Sequence, residues 1–117
     1  EIVDSVKVVD RFSEGFEQAC DNASLIVNCT PMGMKGGQFQ NESPLDSSHI
    51  KEDVLVYDMV YNPVITPFLR EAEKSGAETV SGLSMLVFQG AESFKLWTGK
   101  TPSISVMSKA ARRALNS

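Results

Sequence analysis

Three short stretches of this chain combine hydrogen-bonding side chains with residues that let a flat ring come close. The first is Asn28-Cys29-Thr30-Pro31-Met32-Gly33-Met34. A glycine lets backbone approach a planar group, and methionine thioethers pack on its face. The same stretch also suits a tight turn in which Asn28 and Thr30 bond their own backbone. The second is Asp58-Met59-Val60-Tyr61-Asn62-Pro63, where Tyr61 can turn its ring inward and offer its hydroxyl at the mouth of a sheet, or simply to water. Asp58 falls inside an apolar run. A buried carboxylate without donors is costly, so a backbone or side-chain donor is expected beside it, in a structural rather than a catalytic role. The third is the apolar helical pattern from Gly82 through Gly99, which carries one amide, Gln89, among core-type neighbours. An unpaired buried amide costs roughly 1–3 kcal/mol, so Gln89 needs a partner, either a protein group or a ligand. Met85 lies one turn earlier on the same face, with Gly82 just ahead of the helix, so that face can pack a ring and bond a hydroxyl. Phe94 and Trp97 read as core anchors of the same helix.

These stretches need elements to hold them. Leu25 to Cys29 and Val54 to Tyr61 are unbroken apolar runs that stop at Thr30-Pro31 and Asn62-Pro63, the pattern of strands covered on both faces in a parallel sheet. Ligands of such sheets sit beyond the carboxyl ends of the strands, which is where residues 28–34, 59–62 and 81–85 fall. Lys35 to Ser48 is rich in Gly, Gln, Asn and Ser and reads as a long polar loop, with His49 a surface histidine. Thr66-Pro67 supplies an N-cap and a first-turn proline and Gly76 a stop, predicting a helix over 67–75. A third short strand is expected at Glu78-Thr79-Val80. Two helices follow, over 84–98 and 102–116. In the latter Val106, Met107, Ala110, Ala111, Ala114 and Leu115 recur at helical spacing as one apolar stripe. Toward the start, Val6-Lys7-Val8-Val9 reads as a strand and Ser13 caps a helix running to Cys20. The alternation is that of an α/β domain with a mostly parallel sheet.

A length of 117 residues with 42% hydrophobic content bounds the chain to one domain and one core, too little for a cofactor domain plus a substrate domain. The net charge is -4, and no basic cluster exceeds Arg112-Arg113, so the electrostatic footprint of nucleic-acid binding is missing. Cys20 and Cys29 lack metal-type spacing and read as buried free thiols of a reducing compartment. No segment approaches the ~18–20 consecutive apolar residues of a membrane span. A cytoplasmic protein without a membrane partner is expected. The sequons at Asn22, Asn28 and Asn41 read as chance matches, and no metal site, Walker loop, Gly-x-Gly-x-x-Gly turn or nucleophile elbow is visible. Glu1-Ile2-Val3 opens without methionine and reads as a start in mid-protein.

Residues 28–34, then Tyr57 to Pro63 with Thr66-Pro67-Phe68-Leu69, then Gly82 through Gly99 resemble in order and spacing the shikimate dehydrogenases, which reduce 3-dehydroshikimate to shikimate with NADPH. The resemblance is weak before Leu25 and after Thr101. It implies that residues 1–101 are the later part of a Rossmann-type NADP-binding domain and 102–117 a C-terminal helix. The fold would be a partial Rossmann-like parallel sheet with C-terminal helices, lacking the first βαβ unit and the N-terminal substrate and catalytic domain. By that similarity Met59 and Gly82 would meet the nicotinamide end of NADP, largely through backbone, and Met85 would pack on the ring. Thr30 and its loop would line the ribose side. Tyr61 and Gln89 would reach shikimate or 3-dehydroshikimate, and a homodimer stays open. Competing readings are a quinate/shikimate dehydrogenase using NAD and a non-catalytic nucleotide-binding or regulatory remnant.

The family's catalytic lysine and aspartate, its glycine-rich first turn and its 2′-phosphate segment match nothing here. In a strand order of 3-2-1-4-5-6, Val6 to Val9 would be strand 3 and Leu25 to Cys29 strand 4, which are not neighbours, so strand edges would stand open. Without the pyrophosphate turn and the acid/base pair the chemistry has no means to be fast. The 117-residue chain on its own is therefore expected to give no NADP-dependent oxidation of shikimate in a spectrophotometric assay, and measurable turnover contradicts this.

Overall fold

A computed structural model describes residues 6–116. The elements run α1 (Glu14–Asp21), β1 (Leu25–Asn28), β2 (Leu55–Asp58), α2 (Pro67–Ser75), β3 (Glu78–Ser81), α3 (Leu83–Thr98) and α4 (Ile104–Asn116), with a single 3-10 turn at Ser47–His49. The strands form one parallel sheet in the order β1-β2-β3. Its register sets Asn28 beside Asp58 and Asp58 beside Ser81, so the three stretches singled out in the sequence leave the sheet from one row.

Local chemistry explains the helix that covers the sheet. The Thr66 hydroxyl accepts the Leu69 N–H at 3.2 Å, Pro67 stands in the first turn, and Gly76 closes the helix at φ 84. Each is a standard solution for otherwise unpaired helix-end groups. The buried face of α2, Phe68, Leu69 and Ala72, packs with Val54 and Val56 of the β2 run and with Ile50 and Ala77 into the main core. The predicted bounds of α2 hold, as do those of α1, whose N-cap is Ser13.

The opposite sheet face departs from expectation. Continuous apolar runs predicted cover on both sides, yet Leu25 is 53% exposed and Val27 also faces solvent. β1 is an edge strand, and α3 leaves an open groove of about 490 Å³ along that face, lined by Leu25, Tyr57, Val80, Met85 and Phe88. The strand expected at Val6-Lys7-Val8-Val9 does not form among its described residues 6–9, where Val8 is 90% exposed. A β-branched run with no neighbouring strand has nothing to pair with.

Other expectations need correction. Cys20 is buried, and that burial, with Glu17 and Asp21 beside it, pushes its thiol up. Cys29 is exposed, because β1 ends at Asn28 and it is Asn28 that turns inward. In α3 only Leu83, Val87 and Ala91 are buried, one per turn, while Phe94 is exposed and Trp97 is 83% exposed. They extend past the sheet and anchor no core. The α4 stripe divides: Met107, Ala111 and Leu115 are half-buried and Val106 is exposed. A helix with one neighbour covers one narrow row. Gly90 permits that approach, since a Cβ there would lie 3.3 Å from the Met107 methyl.

His49 is less exposed than expected. Its Nε2 lies 3.2 Å from Glu17 of α1 and its Nδ1 3.1 Å from Asp46, with the Phe16 ring against it. Hydrogen bonds from the Ser48 side chain and backbone, more than His49 itself, hold the Asp46 carboxyl below its ordinary range. Whatever Asp46 adds to stability is thus present above the ordinary carboxylate pKa and fades as pH falls through its lowered one. Among the described residues no helix is long and apolar enough to cross a membrane.

Candidate functional site

Asp58 closes β2 with its side chain fully out of solvent. Its Oδ1 accepts from Asn28 Nδ2 at 3.0 Å and from the Val60 N–H at 2.9 Å, and its Oδ2 accepts from the Thr66 hydroxyl at 2.5 Å. One carboxyl thereby joins the end of β1, the loop after β2 and the N-cap of α2. The donors expected beside Asp58 are present. Asn28 extends the network: its Nδ2 also donates to the Met32 carbonyl at 3.2 Å, and its Oδ1 accepts from the Thr30 N–H at 3.0 Å and hydroxyl at 2.7 Å. Asn28 and Thr30 do bond their own backbone, as the tight-turn reading of residues 28–34 held, and the turn they make is also a cavity wall.

That cavity, of about 440 Å³, lies beyond the carboxyl ends of β1 and β2 and is lined by Thr30, Met34, Lys35, Met59 and Tyr61 among others. Tyr61 is 40% exposed, standing past the end of β2 rather than within it. The Lys35 N–H donates to the Asn62 carbonyl at 2.8 Å, tying the two loops across the cavity. Gly33 holds φ 86, and a Cβ there would meet Pro67 at 3.3 Å, so both the left-handed backbone and the lack of a side chain are required at this bend.

Gly82 lies against the backbone of Met59, one of the residues lining the cavity. A Cβ on it would lie 2.8 Å from the Asp58 carbonyl oxygen and closer still to that of Met59. Only glycine lets the start of α3 press against the end of β2. Thus Thr30, Met59 and Tyr61 share one cavity and Gly82 touches Met59, whereas Met85 lies in the groove on the open sheet face. Gln89 stands apart from both and is exposed. The expectation that its amide is buried among core neighbours fails, because α3 turns Leu83, Val87 and Ala91 inward and Gln89 falls off that row. Lys35 was not singled out in the sequence. The signal was available, as a cation directly following Met34.

A parallel sheet covered by helices, with a cavity at the carboxyl ends of its strands, is the arrangement of a partial Rossmann-like α/β fold. The family profile described as Shikimate 5'-dehydrogenase C-terminal domain matches residues 82–112. The "Shikimate dehydrogenase (NADP(+))" of Archaeoglobus fulgidus is 46% identical over 99 residues, covering 85% of this chain and 36% of that protein. A crystal structure of shikimate dehydrogenase in complex with NADP+ matches with a TM-score of 0.79 at 39% identity, over 86% of this chain and 34% of that one. The shikimate 5-dehydrogenase of Thermus thermophilus in complex with NADP(H) and shikimate matches with a TM-score of 0.74 at 43% identity, over 85% and 36%. The chain belongs with the shikimate dehydrogenases, as a homologue of about a third of their length.

Replacing Asp58 by alanine leaves three donors, Asn28 Nδ2, the Thr66 hydroxyl and the Val60 N–H, without their acceptor. At about 1–3 kcal/mol for each buried group left unpaired, the loss of stability in denaturant unfolding is expected to reach roughly 3 kcal/mol or more, and a loss near zero contradicts the network's role.

Proposed function

We propose that this chain works as the C-terminal third of an NADP-dependent shikimate dehydrogenase, interconverting shikimate and 3-dehydroshikimate, with residues 1–101 belonging to the NADP-binding domain and 102–117 the C-terminal segment that carries α4. The observation that carries the reading is the meeting of Thr30, Met59 and Tyr61 in one strand-end cavity, with Gly82 pressed against the Met59 backbone. The cavity fits the nicotinamide half of the cofactor chemically. Thioethers of Met34 and Met59 offer soft apolar faces for a ring, Thr30 and Tyr61 offer hydroxyls, and no carboxylate lines it to repel a phosphate. When bound, NADPH supplies the hydride.

This chain's own residues bind and orient. The backbone around Met59 and Gly82 would face the nicotinamide, Thr30 the adjoining ribose, and Tyr61 a hydroxyl of the substrate. Met85 and Gln89 lie on successive turns of α3, so a ligand seated above the start of that helix would meet the Met85 thioether and then the exposed Gln89 amide. None of these groups is a strong acid or base near neutral pH. Proton transfer is therefore assigned to the lysine and aspartate of the remaining part of the protein, where the resemblance puts them. The exposed apolar side chains of Phe88, Leu96 and Trp97 suit contact with that remainder. Two unpaired cysteines suit a cytoplasmic setting.

The test is a hybrid in which this chain replaces the corresponding segment of the Archaeoglobus fulgidus relative. NADP-dependent oxidation of shikimate is expected, and in the hybrid Tyr61→Phe should raise KM for shikimate several-fold while leaving KM for NADP nearly unchanged. A folded hybrid that binds NADP yet leaves shikimate untouched contradicts the reading.

A further inference from the structure

We propose that the Lys35 ammonium is the anion-recognising group of the strand-end cavity, contacting phosphate or carboxylate oxygens of the bound ligand. The inference rests on the reading that this cavity takes NADP beside shikimate. Every other residue lining it is uncharged, so Lys35 sets the sign of its potential. The chain as a whole carries a net charge of -4, a field that discourages anions unless a cation stands at the point of entry.

Three other cations are engaged: Lys51 pairs with Asp21 at 3.3 Å, Lys74 with Glu71 at 2.5 Å, and Arg11 donates to the Pro44 carbonyl at 2.6 Å. Lys35 has no ion-pair partner among the described residues. Its backbone is anchored by its own N–H to the Asn62 carbonyl at 2.8 Å, and the residue before it by the Met34 N–H to the Pro31 carbonyl at 3.1 Å. The stem therefore rises from a fixed point on the cavity wall. A compact charge on a long stem suits an oxygen anion approached from one side, where a rigid guanidinium fork is not needed. Both ligands of that reading carry such a group, NADP in its phosphates and shikimate in its carboxylate.

The experiment uses the full-length protein and compares wild type with Lys35→Met and Lys35→Arg. Loss of one exposed charge contact should raise KM for one ligand, and the Kd of that ligand read by calorimetry without turnover, by about five-fold, with kcat within about two-fold, because Lys35 touches no reacting atom under this scheme. A rise in KM for NADP assigns the phosphates, and a rise in KM for shikimate assigns the carboxylate. Lys35→Arg should keep most of the affinity, and added salt should shrink the wild-type advantage. Unchanged KM for both ligands in an active Lys35→Met enzyme overturns the proposal while sparing the functional reading beneath it. A wild-type protein without shikimate dehydrogenase activity overturns both.

Discussion

The carboxyl group of Asp58 is the point on which the rest of this structure depends. It lies at the end of the central strand, out of solvent, and each of its bonds fixes a different piece of chain: Asn28 at the end of β1, Val60 in the loop that becomes a cavity wall, and Thr66 at the start of α2. A polar group at such depth is tolerated only when its hydrogen bonds are made. Among the described residues no buried side-chain nitrogen or oxygen lacks a partner. The network does more than satisfy itself. Because Asn28 also holds Thr30 and Met32, and Thr66 also caps α2, the shape of the cavity and the placement of the covering helix follow from one carboxyl.

Much of the fold was legible because its signals are local. Thr66-Pro67 and Gly76 announce both ends of α2 through end-group chemistry that any neighbourhood would leave intact. Gly99 ends α3 in the same way, with φ 68. The misreadings share another cause. Burial of Gln89, Phe94 and Trp97, and of the second face of β1, was inferred from apolar composition, which says what a residue would favour and not whether a neighbour is present to meet it. Val6-Lys7-Val8-Val9 failed as a strand for the same reason. His49 erred the other way: its partner Glu17 lies far off in sequence, so nothing local revealed the contact.

The site was legible in a similar proportion. Thr30, Met59, Tyr61 and Gly82 converge because each lies within a few residues of a strand's carboxyl end, and the parallel register brings those ends into one row. Gln89 and Met85 lie along a helix that leaves this row, and their distance from the cavity depends on how α3 tilts over the open sheet face. The open groove there and the unpaired edge of β1 mark a sheet with room for further strands and cover. The same parts explain how labour would divide, with this chain shaping the nicotinamide end of the site and leaving the moving proton to residues elsewhere.

The central claim is that the strand-end cavity around Met59 receives the nicotinamide end of the cofactor. The chain has five methionines: Met34 and Met59 on the cavity, Met32 in the turn beside it, Met85 on α3, and Met107 on α4 against Gly90. Methyl-labelled NMR of the full-length protein titrated with NADP+ reads them separately. Shifts are expected for Met34 and Met59 with Met107 still, whereas a silent Met59 beside a shifted Met107 would contradict the claim.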